Sequence, residues 1–130
     1  MKAAIYSQKK DLDTFLYLNK FISELALRDV SVVLHSEMAE NLNFSKDFDT
    51  FSGKDELKSK HVNIVFSFGG DGTILNALTF IQDLEIPIIG VNTGRLGFLA
   101  NFRKDQIFDE LDSIILDKNH QTKLALCSLL

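Results

Sequence analysis

Residues Gly69-Gly70-Asp71-Gly72-Thr73 bring glycines, a carboxylate and a hydroxyl together in one short loop. Glycines in such a loop let backbone amides approach a phosphate without obstruction by side chains. A carboxylate among them needs a chemical reason, because its negative charge opposes anion binding. Asp71 could hold Mg²⁺ that bridges phosphates, or accept the proton of an attacking hydroxyl, and phosphoryl transfer needs both functions. The competing interpretation is that Asp71 caps a helix that starts near Thr73.

A second glycine-containing segment, residues 92–99, reads Asn-Thr-Gly-Arg-Leu-Gly-Phe-Leu. We expect five of its residues to bind a nucleotide: Asn92, Thr93, Gly94, Arg95 and Phe98. Arg95 could hold a phosphate or lie on the surface, and Phe98 could face the ligand or the core. Leu96 and Leu99 are expected in the core. If both glycine segments follow neighbouring parallel strands, they form one cleft at the same edge of the sheet.

Neither segment matches the most familiar phosphate-binding fingerprints. A Walker A loop requires Gly-Lys-Ser or Gly-Lys-Thr, and no such sequence follows Gly70. The dinucleotide fingerprint requires the spacing G-x-G-x-x-G, which the first loop lacks. Other phosphate-binding classes therefore have to be considered.

The elements that position these loops can be read from hydrophobic periodicity. Residues 63–68 form an almost continuous apolar run, typical of a parallel strand covered on both faces. Apolar residues then return at helical spacing from Thr73, so a helix begins directly behind the glycines. Residues 87–91 predict the strand before the second segment, and residues 107–115 predict a further helix.

The N-terminal half continues the alternation of strands and helices. Residues 3–6 and 30–34 predict strands, and residues 12–26 predict an amphipathic helix between them. Residues 41–60 are polar and lack a sustained period, which indicates a loop with at most a helical turn. The sequence therefore predicts an α/β fold with an open, mostly parallel sheet and flanking helices.

Composition restricts the class of protein. A chain of 130 residues that is 45% hydrophobic is long enough for one core. A net charge of −4 and a pI near 5.3 argue against a nucleic-acid partner. A single cysteine, Cys127, excludes an internal disulfide, and no apolar run has membrane length. We expect a cytoplasmic protein without a membrane partner.

Together, the two glycine segments resemble one kinase family. Residues 68–75, Phe-Gly-Gly-Asp-Gly-Thr-Ile-Leu, and residues 87–99, Pro-Ile-Ile-Gly-Val-Asn-Thr-Gly-Arg-Leu-Gly-Phe-Leu, look like the N-terminal half of NAD kinases. The first element alone also resembles loops of phosphofructokinases and of diacylglycerol or sphingosine kinases. The second favours NAD kinases, because lipid kinases usually carry a Gly-Thr-Gly-Asn-type turn there.

The resemblance implies phosphoryl transfer from ATP, or polyphosphate in some members, to the 2′-hydroxyl of the adenosine ribose of NAD, which makes NADP. Asp71 matches the family's proton acceptor and, with Gly72, a contact to the dinucleotide. The phosphate-facing loop would be completed by Gly69, Gly70 and Thr73, and Phe98 matches a position near the adenosine. Mg²⁺ would neutralise the transferring phosphates. Asn76 departs from the pattern, since many members have a basic residue there.

The same resemblance sets an expectation for domain organisation. Residues 1–119 are expected to form the nucleotide-binding α/β domain, and residues 120–130 the start of a β-rich second domain that is otherwise missing. The chain would then be inactive alone, and the full-length protein is expected to be a homodimer or homotetramer. Two alternatives remain at this point: a lipid kinase of the diacylglycerol or sphingosine type, and a non-catalytic dinucleotide-binding module in which Asp71 is structural.

None of the remaining reactive side chains is predicted to belong to a functional site. His35, His61 and His120 lie far apart in the sequence and lack metal-ligand spacing, so no protein-held metal site is predicted. Cys127 lies in an apolar run and is expected in the core. Phe44, a member of a phenylalanine series in residues 44–51, could belong to a small packing patch or to an oligomer contact.

Overall fold

A computed structural model describes residues 1–94 and 99–116 of the protein. The described strands are β1 (Lys2–Ser7), β2 (Ser31–His35), β3 (Asp49–Phe51), β4 (Ile64–Gly69), β5 (Ile88–Asn92) and β6 (Phe102–Arg103). The described helices are α1 (Leu12–Ala26), α2 (Ser36–Asn41), α3 (Lys54–Ser59), α4 (Asp71–Ile81) and α5 (Ile107–Leu116). The predicted alternation of strands and helices is therefore confirmed.

The described strands form one sheet in the order β3-β2-β1-β4-β5-β6, and every neighbouring pair is parallel. The chain builds outward from β1 to β3, then returns to the opposite side of β1 and builds outward again from β4. The order of the strands in the sheet therefore reverses between β1 and β4: the connections from β1 to β3 lead toward one edge of the sheet, and those from β4 to β6 lead toward the other edge. In open α/β sheets the ligand crevice lies beyond the carboxyl ends of the strands at such a reversal.

Strand β4 is covered on both faces, as its apolar sequence predicted, and all six of its residues are buried. On one face, Phe66 and Phe68 contact Phe21 of α1, with ring centroids 4.9 and 4.8 Å away. On the other face, Val65 belongs to a cluster with Ile74 of α4. The first glycine loop therefore extends from a fully buried strand of the sheet.

The prediction of a loop at residues 41–60 is wrong in part. This stretch contains β3 and α3, and the unpredicted helix α2 lies immediately before it. Phe51 in β3 and Leu57 in α3 are both buried. These elements have three and six residues, so they are too short to show a hydrophobic period in the sequence. Phe44 is also buried, 5.0 Å from the ring of Phe15, so it packs inside the domain.

Some expectations fall outside the residues that the structure describes. These are the strand and second-domain start at residues 120–130, with His120 and Cys127. In residues 1–94 and 99–116, no helix combines the length and the apolar character that a bilayer crossing requires.

Replacing Phe51 with alanine tests whether the short edge strand belongs to the core. Phe51 is 1% exposed, so its removal leaves a cavity, and we expect a loss of about 3–5 kcal/mol in the free energy of unfolding. Leu27→Ala is the control, because Leu27 is 79% exposed and should change stability by less than about 0.5 kcal/mol. Urea denaturation measures both. Equal effects would contradict the assignment of β3 to the core.

His35 predicts a pH dependence of stability. Its ring stacks on Phe80 and contacts Tyr6 edge-on, and burial lowers the pKa of His35 below its ordinary value of 6.5. The unfolded state then binds more protons than the folded state, so stability falls as pH drops below about 6.5. His35→Phe keeps a ring but cannot be protonated.

Unfolding free energies of the His35→Phe variant should therefore fall less between pH 7.5 and pH 5 than those of the parent protein. His61→Asn is the control, because His61 is exposed and its positive φ of 57° suits asparagine. The same pH dependence in the parent and in His35→Phe would show that His35 does not contribute.

Candidate functional site

The first glycine loop is a sharp junction between a strand and a helix. Strand β4 ends at Gly69, Gly70 is the N-cap residue, and α4 begins at Asp71. The helix thus starts directly behind the glycines, two residues earlier than the predicted Thr73. Asp71 occupies the first helical position and is not the N-cap residue, and α4 has no side-chain cap. The interpretation of Asp71 as the cap therefore does not describe this helix.

The fold itself requires glycine at position 69. Its φ angle is +154°, a conformation that other residues rarely adopt. A Cβ atom there would lie 2.4 Å from the Thr73 hydroxyl oxygen and 2.8 Å from the Thr73 Cβ. Gly69 therefore lets the first turn of α4 close onto the end of β4.

Gly70 and Gly72 have a different environment. A Cβ atom at either position would meet no atom of the described residues within 4 Å. Gly70 also has an extended backbone, with φ −103° and ψ −165°, that alanine can adopt. Packing therefore does not explain these two glycines, whereas a ligand that approaches the loop backbone closely would explain them.

Asp71 connects the two glycine segments. Its Oδ1 atom accepts a hydrogen bond from the backbone N–H of Leu99 at 3.0 Å, and the residue is partly exposed. Leu99 itself packs against the core cluster on the α4 face, as predicted. The bond holds the carboxylate at the start of α4 and at the same time holds the end of the second segment beside it.

The second segment begins with a local turn. Asn92 is buried, and its Oδ1 atom accepts a hydrogen bond from the backbone N–H of Gly94 at 2.9 Å. The backbone N–H of Thr93 lies 3.4 Å from the carbonyl oxygen of Gly69. Together with the pairing of Asn92 with Gly69, this contact places the start of the second segment beside the first loop, in agreement with the predicted adjacency of the two segments. Arg95, Leu96, Gly97 and Phe98 lie outside the described residues.

Gly90 and Asn101 close the base of the second segment. The Gly90 N–H donates to Asn101 Oδ1 at 3.1 Å, and the Asn101 N–H donates to the Gly90 carbonyl at 2.9 Å. A Cβ atom on Gly90 would lie 2.5 Å from Ile74 and 3.1 Å from the Ala100 backbone. Glycine at position 90 therefore permits close contact between β5, α4 and the returning chain.

A third loop, between β1 and α1, also reaches the site, and the sequence analysis missed it. The Thr73 hydroxyl donates to Gln8 Oε1 at 3.0 Å, so Thr73 contacts this loop within the protein. The Lys9 ammonium lies 4.0 Å from the position of a Cβ atom on Gly94. The strand order explains the omission: β1 lies beside β4, but no local pattern reveals that adjacency.

A cavity of about 230 Å³ lies between the third loop and the second segment. Its lining includes Lys9, Thr93 and Lys104, with Tyr17 and Phe68 as the aromatic walls. The Thr93 hydroxyl oxygen is buried and has no hydrogen-bond partner within residues 1–94 and 99–116. A buried hydroxyl without a partner is uncommon, and it indicates a position where a ligand could bind.

Two further polar groups of the cavity, Tyr17 and Asp11, are engaged within the protein. The Tyr17 hydroxyl donates to the Lys104 carbonyl at 2.6 Å, and burial raises the pKa of Tyr17 well above its ordinary value. The Asp11 carboxylate caps α1 by accepting from the Thr14 N–H at 2.8 Å, and hydrogen bonds from the Thr14 hydroxyl and from this N–H lower the pKa of Asp11. Asp13 also lines the cavity.

Asn76 has a role within the fold. It stands one helical turn beyond Asp71, and its side-chain amide donates to the Tyr6 hydroxyl. The described residues contain no group of three or more His, Cys, Asp or Glu side chains that could hold a metal ion. An ion at this site would therefore need ligands from elsewhere, such as phosphate oxygens.

Comparison with known proteins identifies the family of the chain. Residues 9–119 match the model of the ATP-NAD kinase N-terminal domain. An NAD kinase of Christiangramia forsetii is 36% identical over 91% of this chain and 41% of its own length. An NAD kinase of Flavobacterium psychrophilum is 32% identical over 99% of this chain and 45% of its own length. The chain thus spans less than half the length of these relatives.

Solved structures show the same fold. A crystal structure of an NAD kinase from Archaeoglobus fulgidus in complex with ATP matches 89% of this chain and 37% of its own, with a TM-score of 0.60 and 26% identity. Yeast NADH kinase complexed with NADH matches 94% of this chain and 38% of its own, with a TM-score of 0.64 and 20% identity. By the extent of the family match and by its fold, the chain belongs to the ATP-NAD kinase family and carries its N-terminal domain.

Proposed function

We propose that this chain forms the N-terminal part of the active site of an NAD kinase, which transfers the terminal phosphoryl group of ATP to the 2′-hydroxyl of the adenosine ribose of NAD. The observation that carries the proposal is the position of Asp71. Its carboxylate stands at the start of α4 between two glycines that packing does not require, and Leu99 holds it there. A fixed base beside an open, amide-lined loop suits attack by a hydroxyl on a phosphate.

In this mechanism Asp71 accepts the proton of the 2′-hydroxyl as the ribose oxygen attacks the terminal phosphorus of ATP. A new P–O bond forms to the ribose, the P–O bond to the β-phosphate breaks, and ADP leaves with the bridging oxygen. The products are NADP, ADP and one proton. The backbone amides near Gly70 and Gly72 stabilise charge on the transferring group, because none of the described residues fills the space beside these glycines.

Family membership and the named relatives support this function over a lipid kinase or a non-catalytic module. The two relatives described above are both NAD kinases, and the A. fulgidus enzyme was crystallised with ATP. We assign Asn92, Thr93 and Gly94 to the second wall of the nucleotide site. The assignment of Arg95 and Phe98 to the same wall rests on the sequence alone.

Mg²⁺ is proposed as the metal of the reaction. The described residues offer a single carboxylate at the glycine loop, Asp71, and no ready-made metal cluster. With Asp71 assigned as the proton acceptor, this donor set would fit an ion held mainly by the ATP phosphates and by water, which Mg²⁺ commonly retains. When bound, the ion would neutralise charge on the transferring phosphates.

The chain matches 41% and 45% of the length of two relatives, so the complete activity is assigned to the complete gene product. We propose that the parts of those relatives beyond the matched region supply further contacts to the dinucleotide. Polyphosphate as an alternative donor, assembly into a dimer or tetramer and a cytoplasmic location are proposed on the family resemblance alone.

Asp71→Asn tests the catalytic assignment in the complete product of the gene. Asparagine keeps the Oδ1 acceptor for Leu99 but cannot take up a proton. With ATP and NAD as substrates, we expect the parent protein to make NADP and the variant to lose about 10²- to 10⁴-fold in kcat. NADP formation with each protein measures the effect. Full activity of the variant would exclude Asp71 as the base, and a parent protein that makes no NADP would exclude the proposed reaction.

A pair of glycine substitutions separates the requirements of folding from those of catalysis. Gly69→Ala should destabilise the protein by about 1–3 kcal/mol, because its φ of +154° strains a side chain that also collides with Thr73. Gly70→Ala should change stability by less than about 1 kcal/mol but lower kcat/KM about 10²-fold, since its methyl group displaces the phosphate. Urea denaturation and NADP formation measure the two effects. Unchanged activity of Gly70→Ala would contradict a phosphate contact at this loop.

A further inference from the structure

The Lys9 side chain forms part of the cavity that lies beside the first and second loops. Lys9 is exposed and makes no ion pair shorter than 4 Å with the residues that the structure describes. The loop between β1 and α1 carries it, and its backbone N–H lies 3.4 Å from the Ser7 hydroxyl oxygen. Its ammonium group points toward Gly94 on the second segment.

The topology of the sheet brings the β1–α1 loop next to the proposed ligand site. Strands β1 and β4 lie side by side at the reversal of strand order, so the loops that follow them face the same crevice. Hydrogen bonding between Thr73 and Gln8 joins these two loops directly. A ligand bound at the glycine loop therefore lies within reach of residues from the β1–α1 loop.

The cavity and the Asp71 carboxylate lie toward opposite faces of the sheet. The cavity is lined by Tyr17, Leu18 and Phe68, which belong to or pack against the core on the α1 face. Asp71 bonds to Leu99, which packs against the core on the α4 face. The glycine loop runs between these two positions.

Phosphoryl transfer requires this kind of separation. The attacking oxygen and the leaving oxygen lie roughly in line on opposite sides of the transferring phosphorus. If the acceptor hydroxyl lies at Asp71, on the α4 side, the rest of the donor lies across the glycine loop on the α1 side. The donor's phosphate chain would then reach the cavity that contains Lys9 and the unpartnered hydroxyl of Thr93.

We propose that Lys9 and the Thr93 hydroxyl bind the phosphate chain of the phosphoryl donor in this cavity, and this rests on the proposed function. Lys9 supplies a positive charge that the glycine loop lacks, and Thr93 donates a hydrogen bond to a phosphate oxygen. Lys104, on the same cavity wall, adds a second positive charge. Asp11 is committed to capping α1, and Asp13 balances part of the charge.

The test compares Lys9→Met with Lys10→Met in the complete gene product. Methionine keeps the length and apolar stem of lysine but removes the charge. Lys10 is exposed, does not line the cavity and serves as the matched control. We expect Lys9→Met to raise the KM for ATP about 10- to 100-fold, as for loss of a charge-assisted hydrogen bond, and to leave the KM for NAD within about twofold.

Two further variants and a second donor make the assignment specific. Lys9→Arg should restore most of the affinity for ATP, and Thr93→Val should raise the KM for ATP while it leaves the urea midpoint unchanged or higher. With inorganic polyphosphate as the donor, Lys9→Met should cause a similar loss if the cavity binds phosphates, and none if it binds only the nucleoside part of ATP.

Several results would overturn the proposal. An increase in the KM for NAD alone would assign Lys9 to the acceptor, and equal behaviour of Lys9→Met and Lys10→Met would remove Lys9 from the site. If the parent protein makes no NADP, calorimetry with inorganic tripolyphosphate still decides the point. Binding that weakens in Lys9→Met but not in Lys10→Met supports the cavity as a phosphate site, whereas no binding, or equal binding, rejects it.

Discussion

The burial of β4 between β1 and β5 is the constraint on which the rest of the domain depends. A strand enclosed by two parallel neighbours and by helices on both faces cannot shift its register by one residue without exchanging the side chains that pack on the two faces. Its carboxyl end is therefore a fixed point. The glycine loop and the first turn of α4 follow directly from that point. The packing of the core therefore fixes the position of the site.

The glycines of the site divide into two groups with different physical origins. At Gly69 and Gly90, a side chain would collide with Thr73, Ile74 or the backbone of Ala100. At Gly70 and Gly72 a Cβ atom would contact none of the residues that the structure describes. The sequence shows the same letter at all four positions. Only the surroundings distinguish a glycine that the fold needs from one that leaves room for something else.

The sequence predicted those strands and helices that are long enough to show a hydrophobic pattern. Strand β4 and helix α4 were found because an apolar run and a helical repeat are each long enough to recognise. Strand β3 and helix α3 were missed because three and six residues carry too little pattern. Gln8 and Lys9 were missed for another reason: their proximity to the glycine loop comes from β1 pairing with β4, a contact between distant parts of the chain.

The paired hydrogen bonds between Gly90 and Asn101 have a consequence for how much change the second segment tolerates. Asn101 hydrogen-bonds both the backbone N–H and the carbonyl of Gly90. The two ends of the segment between Gly90 and Asn101 are therefore held together whatever the sequence of that segment. Lengthening a loop whose ends are already fixed adds little entropic cost. Substitutions and changes of length between these two residues should therefore cost the sheet beneath them little stability.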